Sequence, residues 1–143
     1  MVAVVGVLTA AAVVGGATIA VAQADIVKER QENRKQAGAA MRAIKAVIDA
    51  KGPTAPAVEQ AAKLKTLEAA FVKMFPPGSD KDTKALPTVW TDSAGFQAAN
   101  KAADAAYDKL AVAAGSGNMA ALQAAFADTG KSCGACHDKF RAK

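Results

Sequence analysis

Three clusters of helix-breaking residues, Lys51-Gly52-Pro53, Pro76-Pro77-Gly78 and Gly115-Ser116-Gly117, cut everything after Asp25 into four stretches that each repeat apolar residues at three- and four-residue steps. That spacing places the repeated residues on one face of a helix. The first stretch, 25 to about 50, carries Ile26, Arg30, Arg34, Ala37, Met41, Ile44 and Ile48 on its stripe, so two arginines interrupt an otherwise apolar face. The second begins near Pro56, a residue suited to a first helical turn, and shows Val58, Ala61, Leu64, Leu67, Phe71 and Met74. The third begins at Asp92 or Ser93 and shows Phe96, Ala99, Ala103, Ala106, Leu110 and Ala113. Asn118 is a good N-cap for the fourth, whose stripe runs Met119, Leu122, Phe126, Cys133, His137 and Phe140. Between the second and third helices, Pro76 to Thr91 reads as a long connection holding Pro87 and the only tryptophan, Trp90; connections of this length usually cross a bundle or cover a ligand. Aromatic residues make up 5% of the chain, and no alternating β-branched run points to a sheet. The expectation is an all-α domain, an antiparallel four-helix bundle with a site built from inward-facing side chains.

Before Asp25 the chain has a different character. The first 24 residues contain no charged side chain, whereas all 18 Lys and Arg and 13 Asp and Glu lie at Asp25 or later. Val2 to Val21 is apolar or small throughout, and Ala22-Gln23-Ala24 offers the small residues a signal peptidase requires. Residues 1–24 are therefore expected to be a secretory signal peptide, with 25–143 as the working bundle. No Lys or Arg precedes the apolar run, and about 20 apolar residues also suffice to span a bilayer if left uncleaved. The net charge of +5 is spread along helices with alternating sign, and no basic block interleaves with aromatics. Nucleic acid is excluded as a partner on that ground.

The chemistry sits near the end of the chain, in Cys133-Gly134-Ala135-Cys136-His137. Cys-x-x-Cys-His is the attachment signature of c-type haem. On a helix the two thiols face one side, where they can add to the two vinyl groups of one porphyrin, and the histidine reaches the iron from the same face. A thioredoxin-like redox pair would use the same thiols, but no βαβ pattern surrounds them. Structural zinc needs four ligands, and there is no second Cys or His pair. One covalent haem c is expected, with Cys133 and Cys136 as its anchors and His137 as its axial ligand. An exported chain whose only cysteines lie in this motif fits that expectation. His137 is the only histidine, so bis-histidine ligation within one molecule is impossible. Met41 is the one methionine placed to be a sixth ligand, and a buried methionine at helical spacing is more often core.

These residues resemble the class II c-type cytochromes, of the cytochrome c prime type. The resemblance spans 25–143 and rests on the C-terminal segment Cys133 to Arg141, on Arg30-Gln31 followed by Gly38, on Phe75-Pro76, and on Leu86-Pro87 with Trp90. It implies a periplasmic four-helix bundle, a homodimer, and a redox partner protein. It also implies that Arg30 contacts a haem propionate, that Arg141 is the basic residue beside the proximal histidine, and that Trp90 packs near the haem pocket. In the family, the residue four after Arg30 faces the sixth side of the iron and is either an apolar shield or a methionine ligand. Here it is Arg34. A guanidinium has no lone pair to give, which favours a five-coordinate iron over a methionine-ligated one. Burying this charge requires a partner, for which a propionate, Glu32 or water are the candidates, unless the helix is rotated from the register assumed. The functional expectation is a monohaem electron carrier with a five-coordinate iron. The alternative is a protein that binds nitric oxide or carbon monoxide. An enzyme is not expected, because no distal histidine exists to move protons.

Overall fold

A computed structural model describes residues 15–143, with side chains from Asp25 onward. The expected leader therefore lies outside the described residues over 1–14, and only the backbone of 15–24 is described. Five helices follow one another: α1 Gly15–Ala50, α2 Ala55–Phe71, α3 Thr88–Thr91, α4 Ser93–Gly115 and α5 Met119–Phe140. The four long ones form the bundle, and α3 is a single turn inside the long connection. None of the described helices is long and apolar enough to cross a membrane.

The helix ends follow the local chemistry. Asp92 caps α4 by accepting from the Gly95 N–H at 3.0 Å, and Asn118 caps α5 by accepting from the Ala121 N–H at 3.1 Å. Gly117 between them has φ 71°, a conformation that glycine adopts without steric cost. At the first corner the Thr54 hydroxyl donates to Ala114 O at 2.7 Å, which ties the α1–α2 turn to the last turn of α4.

Consecutive long helices run antiparallel: α1 packs along α2, α2 along α4, and α4 along α5, while α1 and α5 meet over only a short stretch. Lys65 of α2 reaches both Asp104 and Asp108 of α4, at 2.8 and 2.7 Å. The main core is confined to one end. It is made of Ala37, Ala40 and Ile44 from α1, Ala57, Ala61 and Leu64 from α2, Tyr107, Leu110 and Ala114 from α4, and Leu122 from α5. Met41 packs on this cluster as a partly buried core residue.

The buried stripes differ from the sequence reading by a partial rotation. On α1 the buried residues are Val27, Arg30, Asn33, Ala37, Ala40 and Ile44, so Arg34 lies at the edge of the stripe and Asn33 lies inside it. On α2 they are Ala57, Ala61, Leu64 and Glu68, and Val58, expected inside, is exposed. With so many alanines on every face, apolar spacing alone leaves the rotation of a helix loosely fixed. Leu110 is fully buried between α4 and its neighbours. Leu110→Ala is expected to cost roughly 2–5 kcal/mol by loss of transfer energy and cavity formation, read as a lower denaturation midpoint at unchanged m.

Candidate haem-binding site

The other end of the bundle is made from α1 around Arg30 and Arg34, the end of α2, the start of α4 and the last turns of α5. Its apolar part is a second cluster, Val89, Phe96 and Phe140, with Phe71, Phe75, Trp90 and Cys136 packed against it. Phe75 meets Phe71, Phe96 and Trp90 edge to face. The chain terminus is sewn to the long connection: Leu86 N–H donates to Phe140 O at 2.9 Å, Ala142 N–H to Lys84 O at 2.8 Å, and the Thr88 hydroxyl to Lys139 O at 2.8 Å. These bonds hold the final turn of α5 immediately after His137.

Cys133 and Cys136 form no disulfide with each other, and both are half-buried. Before haem is attached, burial, the largest cause, pushes each thiol above its ordinary range. The Tyr107 hydroxyl lies beside Cys133, and burial raises it in turn. His137 is more exposed, and its affinity for a proton is lowered by desolvation, then by the charges of Arg141 and Arg34, against a smaller opposing pull from Asp138. A neutral imidazole keeps the lone pair that a metal needs.

Arg30 is almost fully buried, and among the described residues no carboxylate pairs with it. Its Nε–H donates to Met74 O at 3.0 Å, Nη2 to Met74 O and to Ser79 Oγ at 2.8 Å, and Nη1 to Ser79 O and Thr83 Oγ1. The guanidinium also lies 4.0 Å from the Phe75 ring centre. All five of its N–H groups are thus engaged by the 74–83 connection.

Arg34 pairs with an acid that was not among the candidates. Its Nη1 donates to Glu68 Oε2 at 2.9 Å, and its partner is this buried carboxylate of α2 rather than Glu32. Glu32 instead lies on the surface, 3.6 Å from Lys35. Asn33 accepts from Nε and Nη2 of Arg34 at 2.9 and 2.6 Å and donates to Leu67 O, fixing the guanidinium 3.7 Å over the Phe71 ring. Trp90 donates its Nε1–H to Phe75 O and Pro76 O, both at 3.2 Å, so it closes the end of the second helix while packing beside the thiols' cluster. The Arg141 backbone N–H donates to His137 O at 3.1 Å, and its charge lowers the proton affinity of the imidazole. Glu68, Asn33 and Tyr107 were missed from sequence. The available signal was an acid on the apolar stripe of α2 opposite an arginine on α1.

Residues 25–141 match the profile of the family described as Cytochrome C'. The chain belongs to the cytochrome c' family. A cytochrome c' from Rubrivivax gelatinosus is 45% identical over 107 residues, covering 73% of this chain and 80% of the relative. A cytochrome c-556 from Agrobacterium tumefaciens is 36% identical over 121 residues, covering 82% of this chain and 97% of the relative. Among solved structures, the Rubrivivax gelatinosus cytochrome c' superposes with a TM-score of 0.77 at 36% identity, over 84% of this chain and 97% of that one. A nitric oxide complex of a variant cytochrome c prime from Alcaligenes xylosoxidans superposes with a TM-score of 0.78 at 34% identity, over 85% and 97%.

As a cytochrome c', this protein carries one covalent haem c. The residues present fit that group. Its only two thiols lie three residues apart on α5, the only imidazole follows on the next residue, and the α1–α5 seam beside them is the least packed of the bundle. Cys133 and Cys136 would hold the haem, and His137 would face its iron. The connection that closes this end depends on Arg30. Each buried acceptor left without a donor costs roughly 1–3 kcal/mol, so Arg30→Leu is expected to destabilise the protein by at least ~2 kcal/mol and to speed protease cleavage between Pro76 and Thr83. Limited proteolysis compared with the parent protein checks both the direction and the place.

Proposed function

We propose that this cytochrome is an exported, periplasmic one-electron carrier whose iron takes a single protein ligand, His137, and is five-coordinate. The observation that carries the reading is that, among the described residues, the place where a sixth donor was expected holds a guanidinium. Met41 belongs to the core at the other end, and Arg34 has no lone pair to offer. Haem, when bound, supplies a one-electron couple and an iron with an open axial position. The protein's own part is to tether it at two thiols, orient His137 through the bonds that sew the chain end to residues 84–88, and restrict water with the aromatic cluster around Phe75 and Phe96. The +5 charge favours an acidic redox partner.

A second reading, capture of nitric oxide or carbon monoxide, draws on the same open position. It is further favoured by the solved relatives from Alcaligenes xylosoxidans that are described as nitric oxide and carbon monoxide complexes. Absorption spectra test the open position on which both readings rest. A five-coordinate protein gives a high-spin spectrum in both oxidation states, and the ferrous form shifts on adding carbon monoxide. A low-spin six-coordinate spectrum indifferent to carbon monoxide would remove the gas-binding reading and the open site together. The attachment itself is checked by Cys133→Ala combined with Cys136→Ala: haem should no longer migrate with the denatured polypeptide, and its retention would refute the assignment.

A further inference from the structure

Neither haem attachment nor the apolar core accounts for the Arg34–Glu68 pair. Glu68 is 2% exposed, whereas the Arg34 side chain is 30% exposed, so the acid is buried and the base is partly open to solvent. The Arg34 guanidinium lies 3.7 Å over Phe71, which packs against the same aromatic cluster as Cys136, so the pair stands at the haem end of the bundle. The two arginines one turn apart on α1 differ in what they have left to give. Arg30 has all five N–H groups engaged. Arg34 has Nε–H on Asn33, one Nη1–H on Glu68, and the two of Nη2 on Asn33 and Leu67 O; among the described residues its second Nη1–H has no acceptor. That hydrogen belongs to a cation held rigidly by Asn33 and stacked on Phe71, so little ordering is needed for it to meet a ligand.

We propose that Arg34 and Glu68 make the open face of the haem selective for small inorganic anions, Arg34 supplying a charged hydrogen bond to the bound anion and Glu68 limiting the affinity by competing for the same guanidinium. The inference rests on the five-coordinate reading and adds the class of ligand. A neutral diatomic gains little from a guanidinium, whereas an anion gains a charge-assisted hydrogen bond in a partly desolvated site. The carboxylate opposes the anion by like-charge repulsion, so its removal acts in the opposite direction to removal of the arginine.

The test uses the haem-loaded protein in its ferric form, titrated with azide and with fluoride and followed by absorption, alongside carbon monoxide titration of the ferrous form. Arg34→Leu is expected to weaken azide and fluoride by about tenfold to a hundredfold, the span of one hydrogen bond to a charged group. Glu68→Gln is expected to tighten both anions by about fivefold or more. Carbon monoxide affinity should move by less than about threefold in either variant. Should Arg34→Leu fail to fold because Glu68 is left buried without its partner, the double variant Arg34→Leu with Glu68→Gln removes that charge. It should show the same weakened anion binding at unchanged carbon monoxide affinity. Anion affinities that are the same in the parent, Glu68→Gln and the double variant, with only thermal stability lowered, would make the pair structural and overturn the proposal while leaving the open site standing. A low-spin six-coordinate ferric spectrum that no anion perturbs would overturn the five-coordinate reading itself.

Discussion

A guanidinium buried without a carboxylate must find its acceptors in the backbone, and this requirement organises the haem end of the bundle. Arg30 collects Met74 O, Ser79 O, Ser79 Oγ and Thr83 Oγ1 into one fork, which turns an irregular proline-rich connection into a fixed lid. With the lid placed, Phe75 and Trp90 are brought over Phe96, and residues 84–88 come to lie along the last residues of α5. The orientation of the turn carrying His137 therefore depends on a side chain more than a hundred positions earlier. Burial lowers the proton affinity of Arg30, yet the guanidinium stays charged, and its charge is spread onto carbonyl dipoles and the Phe75 face.

The bundle divides its labour along its length. One end is aliphatic and closely packed, with Ile44, Leu64, Leu110 and Leu122 fully buried, and this end supplies the hydrophobic stabilisation. The other replaces aliphatic core with aromatic rings, two arginines and an acid, and leaves the seam between α1 and α5 the loosest of the bundle. A four-helix bundle tolerates this because each helix pair is anchored at the aliphatic end and by ties such as Thr54 to Ala114 O. Small domains are marginal on their own core, so the apolar face of a bound macrocycle adds to stability at the end where side chains contribute least.

Much of this was readable beforehand, and what escaped did so for a physical reason. The breakers, the caps at Asp92 and Asn118, and the pentapeptide at Cys133 are local signals, in which a few adjacent residues fix the outcome. The rotation of α1 and α2 is not local. Their faces are rich in alanine, whose small side chain is accepted on either side, so stripes through Val58 and Arg34 looked as good as those through Ala57 and Asn33. The partner of Arg34 was missed by the same route: Glu68 enters the interior only when α2 has its true rotation, and Glu32 looked nearer because it is nearer in sequence. Arg30 was recognised as a buried, purposeful arginine, but its acceptors lie 44 to 53 positions away in a segment without periodicity.

A buried ion pair is weak evidence for stability, since well-packed apolar residues of the same volume often do as well or better. If the position of Arg34 served the fold alone, a leucine there opposite an apolar residue at 68 would meet the need with less desolvation. The chain instead holds a charge at that position, orients it with Asn33, buries its counter-ion to 2% exposure, and leaves the cation partly exposed. That asymmetry has a direction. A pair made only to satisfy itself would bury both members or expose both, whereas a buried acid under a half-open base presents positive charge outward while keeping the site neutral as a whole. Such a site binds an anion reversibly, since Glu68 recovers the guanidinium when the anion leaves.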